Sequence, residues 1–107
     1  PCDEKDVNLN GILTLQERYK VPIGLSGHYM QGSGAIESAA VAMGATWLER
    51  HFTLDRSMKG TDQVASLEDV GLIKVIKSIR SIERALGSKE IKVLECEKSV
   101  REKVRGN

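Results

Sequence analysis

The sequence predicts an α/β fold in which parallel strands alternate with helices in the order α-β-α-β-α. Two β-rich stretches, near residues 21–28 and 46–54, separate three stretches whose apolar residues follow helical spacing. This alternation is typical of successive βα units, whose strands run parallel under a cover of helices. Because parallel strands need neighbours on both edges, we expect the chain to form a homo-oligomer through its open sheet edges.

The first helix and the first strand are predicted within residues 3–28. Asp3 and Asp6 place negative charge where the dipole of a helix N-terminus favours it, and apolar residues between 9 and 15 provide one face up to about Tyr19. Residues 21–26 then alternate between apolar and small or polar side chains, which is the period of two that a strand requires. The strand is expected to end near His28.

A second helix and a second strand follow. Apolar and small residues recur at helical spacing from Ile36 to Met43, and Gly44 is suited to end that helix because glycine readily adopts left-handed backbone angles. Residues 46–54 are β-rich, and their period of two separates the side chains into two faces. The face that carries the polar side chains consists of Trp47, Glu49 and His51.

The third helix is the longest predicted element. Ser66 and Asp69 form a capping-box-like start, an apolar stripe runs from Leu72 to Leu86, and Gly87 ends the helix. The remaining residues are strongly charged, and we expect a tail that packs once and then frays. The chain is therefore divided into a folded part, residues 1–87, and a charged tail, residues 88–107.

The composition excludes several classes of partner and site. The 107 residues carry 16 basic and 15 acidic side chains, a net charge of +1, which predicts no nucleic-acid partner and no membrane partner. No apolar run approaches the ~20 residues that span a bilayer. The two cysteines belong to no C-x-x-C pair, which favours a reducing compartment, the cytoplasm. Because the sequence does not start with methionine, we expect a piece of a longer protein.

Both histidines of the chain fall where parallel α/β folds bind ligands, at the carboxyl ends of the strands. His28 lies two residues after Ser26, and His51 lies two residues after Glu49, so each pair shares one face of its strand. If the strands are adjacent, these four polar groups converge, with Asp62 on the following loop as a second carboxylate. Two imidazoles with carboxylates suit a divalent transition ion. The alternative is a hydrogen-bonded structural role, which is the commoner role of a strand-end histidine.

An ordered set of five motifs resembles the N-acetylneuraminate synthase family. In chain order the motifs are IGLSGH at 23–28, AAVAMGA at 39–45, LERHFTLD at 48–55, KGTD at 59–62 and ASLE at 65–68. The flanking segments are similar to the family as well, so the resemblance covers nearly the whole chain. An ordered set of this kind is far more specific than any one of its members.

This resemblance implies a fold, a reaction and a cofactor. The fold is a partial TIM barrel, about the last two βα units of eight, with residues 88–107 leading towards an antifreeze-like domain. The family condenses phosphoenolpyruvate with an N-acylated amino sugar, such as N-acetylmannosamine, to a nonulosonic acid and releases phosphate. Its cofactor is a divalent metal, usually Mn2+, with Mg2+ or Co2+ as alternatives.

The resemblance also assigns roles to six residues. It implies that two histidines bind the metal, that two carboxylates orient the sugar aldehyde and handle protons, and that a short turn contacts phosphoenolpyruvate. The metal ligands are His28 and His51. The two carboxylates are Glu49 and Asp62, and the turn consists of Ser26 and Gly27.

Two departures and one absence limit what the resemblance implies. Gln63 stands where many family members have histidine, and residues 29–33 replace a shorter segment, so the resemblance does not define the amino sugar. The first six βα units of the family's barrel, which hold the phosphate, are not in the sequence, and we expect the chain to be inactive alone. The alternative is a free-standing, non-catalytic binding or assembly module that retains the barrel fragment.

Overall fold

The computed structural model describes residues 3–30, 32–57, 66–91 and 95–105. Within these ranges a short 3₁₀ helix, Glu4–Asp6, precedes four α-helices and two β-strands. In chain order these elements are α1 (Gly11–Tyr19), β1 (Leu25–Gly27), α2 (Ala35–Ala42), β2 (Leu48–Arg50), α3 (Asp69–Leu86) and α4 (Glu95–Arg105). No helix in the described ranges combines the length and the apolar character that crossing a membrane requires.

The two strands form a parallel sheet, which confirms the predicted α/β class and the predicted strand direction. Both strands are shorter than the sequence predicts. Backbone pairing nevertheless begins before them, since Thr46 N–H donates to the carbonyl of Ile23 at 2.9 Å. In register, the paired residues are Leu25 with Leu48, Ser26 with Glu49, and Gly27 with Arg50.

The chain beyond β2 pairs with the segment that leads into α3. Phe52 and Leu67 form an isolated parallel bridge. Leu67 N–H donates to the carbonyl of His51 at 2.7 Å, and Thr53 N–H donates to the carbonyl of Leu67 at 2.8 Å. The strand predicted over residues 46–54 is therefore interrupted after Arg50, and the backbone of His51 is tied to the start of α3.

Helices α2 and α3 pack against each other and contribute much of the buried core. Small side chains allow this close approach, because Ala40 is fully buried in α2 and Val75 is buried in α3. Both helices are followed by a glycine with positive φ, as predicted, at Gly44 (φ 102°) and Gly87 (φ 57°). The predicted apolar stripe of α3 is only partly buried. Ile76 and Leu86 remain about half exposed.

The first helix begins later than the sequence predicts. Asp3 and Asp6 flank a 3₁₀ turn and not the first turn of an α-helix. Asn8 then adopts a left-handed conformation, φ 53°, which asparagine tolerates better than most residues. This turn delays the start of α1 to Gly11, whereas the predicted end at Tyr19 is confirmed.

Two expectations about the C-terminal third of the chain are wrong. Ser66 does not cap α3, because it is buried in the segment before the helix, and Glu68 occupies the N-cap position. Residues 95–105 form α4 and not a fraying tail. Glu95 and Lys98 form an ion pair of 3.1 Å one turn apart, and acidic residues occupy the first turn, both of which favour a helix.

Candidate functional site

Four polar side chains converge at the carboxyl ends of β1 and β2, as the sequence predicts. Ser26 Oγ donates a hydrogen bond of 2.6 Å to Glu49 Oε1 and lies 3.2 Å from Nε2 of His28. The ring centroids of His28 and His51 lie 5.2 Å apart, with 55° between the ring planes. Contacts therefore run from the Glu49 carboxylate through the Ser26 hydroxyl to the two imidazoles.

The parallel register explains this convergence. Ser26 and Glu49 are direct partners in the ladder. His28 and His51 each lie two residues further along, and side chains two residues apart on an extended backbone point to the same face. The four side chains therefore share one face at one edge of the sheet.

The hydrogen bonds define which nitrogen of His28 carries a proton. A serine hydroxyl has a single proton to donate, and Ser26 gives it to Glu49. His28 Nε2–H must therefore donate to Ser26 Oγ, which leaves Nδ1 with the lone pair in the neutral ring. That nitrogen is the one that can accept a proton or bind a cation.

The site is open to solvent. Ser26, His28 and Glu49 are exposed, and His51 is half-buried. The Glu49 carboxylate is therefore solvated as well as hydrogen-bonded, and its charge needs no buried counter-ion. Arg50, the next residue, points to the opposite face of the strand and pairs with a different carboxylate.

A buried polar network lies on that opposite face, between the sheet and α2. Arg50 Nη1 donates to Glu37 Oε1 at 2.7 Å, and the two side chains are 5% and 1% exposed. The Tyr29 hydroxyl donates to the same carboxylate oxygen. Arg50 Nη2 donates to the backbone carbonyl of Tyr29 at 3.0 Å, and Arg50 Cζ lies 4.4 Å from the centroid of the Tyr29 ring. The guanidinium thus makes an ion pair and a cation–π contact at once.

This network was not predicted, although the sequence contains one signal for it. Glu37 is the only charged residue in α2, whose other side chains are small or apolar. A lone carboxylate in a helix of that composition indicates a buried charge that needs a basic partner. Arg50 could be this basic partner, because its side chain lies on the opposite face of β2 from Glu49 and His51.

The protonation state of Tyr29 follows from its surroundings. Burial raises the pKa of Tyr29 well above its ordinary value of about 10. The hydrogen bond to Glu37 and the negative charge of that carboxylate raise the pKa further, while Arg50 acts in the opposite direction. The hydroxyl therefore stays protonated and serves as a donor. Glu37 Oε2 is buried and has no hydrogen-bond partner among the described residues.

Two further predicted site residues remain, Gly27 and Asp62. Gly27 is buried against the network, and a Cβ atom there would lie 2.5 Å from Arg50 Cδ and 2.9 Å from Tyr29 Cε1. Close packing therefore requires glycine at this position. Asp62 lies outside the described residues, as does the rest of the KGTD motif, and its role stays a prediction.

The two imidazoles offer part of a metal site. No group of three or more histidine, cysteine, aspartate or glutamate side chains could hold a metal ion among the residues that the structure describes. Neutral imidazole is nevertheless a good ligand for divalent transition ions, and Nδ1 of His28 carries a lone pair. The donor set therefore fits a metal whose other ligands are water molecules or oxygen atoms of a substrate.

Fold and site together define an α/β protein with a polar candidate site at the carboxyl ends of parallel strands. Residues 1–91 match the model of the NeuB family. The chain therefore belongs to the NeuB family, which confirms the resemblance to N-acetylneuraminate synthases that the ordered motifs indicate.

Known relatives of the chain include synthases of nonulosonic acids. The chain is 47% identical to human N-acetylneuraminate-9-phosphate synthase over 105 residues, which make up 97% of this chain and 29% of that protein. It is 37% identical to the N,N'-diacetyllegionaminic acid synthase of Legionella pneumophila over 105 residues, or 98% of this chain and 29% of that protein. The chain thus spans about three tenths of the length of the curated relatives it matches.

A solved structure is similar to this chain in fold as well. The crystal structure of N-acetylneuraminic acid synthetase from Leptospira borgpetersenii serovar Hardjo-bovis, in complex with citrate, is similar to this chain with a TM-score of 0.78 at 34% identity. The similarity covers 98% of this chain and 36% of that chain. The likeness in fold therefore includes nearly all of the chain.

Proposed function

We propose that this chain forms part of a nonulosonic acid synthase barrel, from its sixth to its eighth helix, and contributes one side of the active site. The reaction joins phosphoenolpyruvate to an N-acylated amino sugar, such as N-acetylmannosamine, and releases phosphate. The observation that carries the proposal is the convergence of four polar side chains on one open face of a NeuB-family chain. These side chains are Ser26, His28, Glu49 and His51.

The two histidines hold a divalent metal ion in this proposal, Mn2+ in the first place and Mg2+ or Co2+ as alternatives. Support comes from the 5.2 Å between the His28 and His51 rings and from the Nδ1 lone pair of His28. When bound, the ion acts as a Lewis acid that polarises the carbonyl of the sugar aldehyde. The histidines contribute the geometry, because they fix where that carbonyl is held.

The carboxylate and the hydroxyl of the site have separate tasks. The new bond joins the methylene carbon of phosphoenolpyruvate to the aldehyde carbon, the aldehyde oxygen gains a proton, and water adds before phosphate leaves. Glu49, with Asp62, orients the aldehyde and moves these protons. Ser26, with Gly27, contacts phosphoenolpyruvate. The hydrogen bond of 2.6 Å from the Ser26 hydroxyl supports the role of Glu49, since it holds that carboxylate beside the two histidines.

Manganese titration of the 107-residue chain tests the proposal. We expect binding that His28→Ala and His51→Ala each abolish, measured by the electron paramagnetic resonance of free Mn2+. Arg80→Ala on the exposed side of α3 is the control and should bind as the wild type does. Mn2+ binding that survives both histidine substitutions, or no binding at all, contradicts the metal assignment.

An activity assay tests the second part of the proposal. The chain is mixed with Mn2+, phosphoenolpyruvate and N-acetylmannosamine, and phosphate release is measured. We expect no turnover by the chain alone, because it spans only about three tenths of the length of the synthases it matches. Turnover that Glu49→Gln leaves unchanged contradicts the role given to that carboxylate.

Association of the chain through its sheet belongs to the same proposal. Among the described residues, β1 and β2 form a sheet of two parallel strands, and sheets of this kind are normally completed on both edges. Trp47 and Phe52 are each about half exposed, and exposed aromatic side chains favour coverage of this region by a second copy of the chain. We expect concentration-dependent self-association in size-exclusion chromatography with light scattering, and a strict monomer contradicts it.

A further inference from the structure

The two histidines follow directly after the last residue pair of the strands. That pair is Gly27 in β1 and Arg50 in β2, with His28 and His51 as the next residues. Strand pairing holds the two backbones side by side, but it does not by itself fix the side-chain rotamers of the imidazoles, whose centroids lie 5.2 Å apart. Contacts beyond the pair Gly27–Arg50 therefore bear on how the two rings are presented.

A buried network joins the two strands beyond the pair Gly27–Arg50. Tyr29 follows His28, and Arg50 precedes His51, so each histidine has a covalent neighbour in the network. Arg50 Nη2 donates to the Tyr29 carbonyl at 3.0 Å, which joins the two strands one residue past their last pair. The Tyr29 hydroxyl and Arg50 Nη1 both donate to Glu37 Oε1, the latter at 2.7 Å.

Burial makes a rearrangement of the network costly. Tyr29 and Glu37 are each 1% exposed, and the Arg50 side chain is 5% exposed. A polar group that is buried without its partners is costly, so such a network resists rearrangement. Side chains alternate along an extended backbone. Fixing Tyr29 and Arg50 towards α2 therefore directs their neighbours, His28 and His51, towards the open face.

We propose that Glu37 is the positioning residue of the histidine pair and acts through Tyr29 and Arg50 without contacting either imidazole. The hydrogen bond from Leu67 N–H to the His51 carbonyl involves one of the two histidines, whereas Glu37 contacts a chain neighbour of each, Tyr29 and Arg50. The consequence for metal binding rests on the proposed function. The spatial claim does not, because it concerns the protein without metal.

Nuclear Overhauser effects between the two imidazoles test the spatial claim directly. The chain contains only two histidines, so histidine-selective ¹³C labelling gives two ring systems, whose cross-peaks report their separation. We expect these cross-peaks in the wild type and their loss in Glu37→Gln and in Tyr29→Phe. Ile12→Ala, at a buried position of α1, is the control: it destabilises the fold without touching the network and should keep the cross-peaks.

Two outcomes overturn the proposal. One is a folded Glu37→Gln or Tyr29→Phe protein that keeps the wild-type cross-peaks; the other is their loss in Ile12→Ala as well. If Glu37→Gln fails to fold, Tyr29→Phe decides alone, because it removes one hydroxyl and leaves the buried charges paired.

Metal affinity provides a second readout. Contacts that orient ligands from outside typically change affinity by about 10–100-fold. We therefore expect Mn2+ to bind at least about tenfold more weakly to Glu37→Gln and Tyr29→Phe, while Ile12→Ala matches the wild type. A wild type that shows the cross-peaks and binds no Mn2+ refutes the metal assignment and leaves the positioning role standing. Wild-type Mn2+ affinity in both network variants counts against the role of Glu37 in metal binding.

Discussion

Arg50 and Glu37 form an ion pair of 2.7 Å with both side chains almost completely buried, and Arg80 and Glu83 form a pair of the same length on the surface of α3. In the surface pair the side chains are 66% and 47% exposed. Water screens the surface charges but not the buried ones, so the loss of one partner has different consequences in the two places. Equal distances therefore predict unequal effects on stability.

Glu37→Ala is expected to lower the free energy of unfolding by about 3–5 kcal/mol, since it leaves the Arg50 guanidinium buried without its carboxylate. Glu83→Ala, the matched change in the surface pair, is expected to cost about 0–1 kcal/mol. Urea denaturation followed by far-ultraviolet circular dichroism measures both.

The double variant Glu37→Leu with Arg50→Met separates the ion pair from simple packing. Replacing both charges with apolar side chains removes the desolvation cost together with the attraction, so its stability should exceed that of Glu37→Ala. A double variant less stable than Glu37→Ala would show that the shape of the network, and not its charge balance, supports the fold.

Alkaline pH should expose the contribution of Tyr29. The folded-state pKa of this tyrosine is raised by burial first and by Glu37 second. Its contribution to stability is therefore fully present below the unfolded pKa of about 10 and is lost as pH rises towards the folded value. The free energy of unfolding of the wild type should fall above about pH 10, and Tyr29→Phe should show a smaller fall.

Absorbance of tyrosinate checks the same point. The chain has two tyrosines, so Tyr19→Phe leaves Tyr29 as the only group observed. We expect tyrosinate to appear together with the loss of far-ultraviolet circular dichroism. Tyrosinate that forms while the protein is still folded would contradict the buried donor role of this hydroxyl.

The open side of the site could be predicted from the sequence, and the buried side could not. Side chains alternate between the two faces of a strand, so Ser26 shares a face with His28, and Glu49 shares a face with His51. The structure brings all four together. Such a pattern can be read from consecutive residues without knowledge of the fold. The meeting of Glu37 with Arg50 depends on how α2 lies across the sheet, which is a long-range packing relation that no local pattern contains.

Element boundaries show the same limit. The glycines after α2 and α3 carry their own conformational preference, so the ends of these helices could be predicted. The start of α1 follows the left-handed Asn8, and the start of α3 follows the bridge between Phe52 and Leu67, the residue after Ser66. At both starts, the residues that resemble a helix cap in the sequence do not cap the helix in the structure.

Gly27→Ala is expected to destabilise the fold by about 1–3 kcal/mol, because the added Cβ would lie 2.5 Å from Arg50 Cδ in a packed interior. Gly11→Ala is the control. Its Cβ would meet only Asn8 Nδ2, at the ordinary distance of 3.5 Å, and the change should be neutral or stabilising by up to about 1 kcal/mol. Thermal and urea unfolding compare the two. Equal stability of both variants would mean that the Arg50 side chain moves aside at little cost.

Ser26→Ala should change the tautomer of His28 and leave the fold intact. In the wild type the Ser26 hydroxyl donates to Glu49, so the ring of His28 must carry its proton on Nε2. Removing the hydroxyl removes that acceptor, and the exposed ring is expected to populate both neutral tautomers. The ¹⁵N chemical shifts of the two imidazoles at mildly alkaline pH measure this directly, with His51 as the internal comparison. A wild-type ring protonated on Nδ1 would contradict the arrangement, and it would mean that the serine proton points to His28 and not to the Glu49 carboxylate.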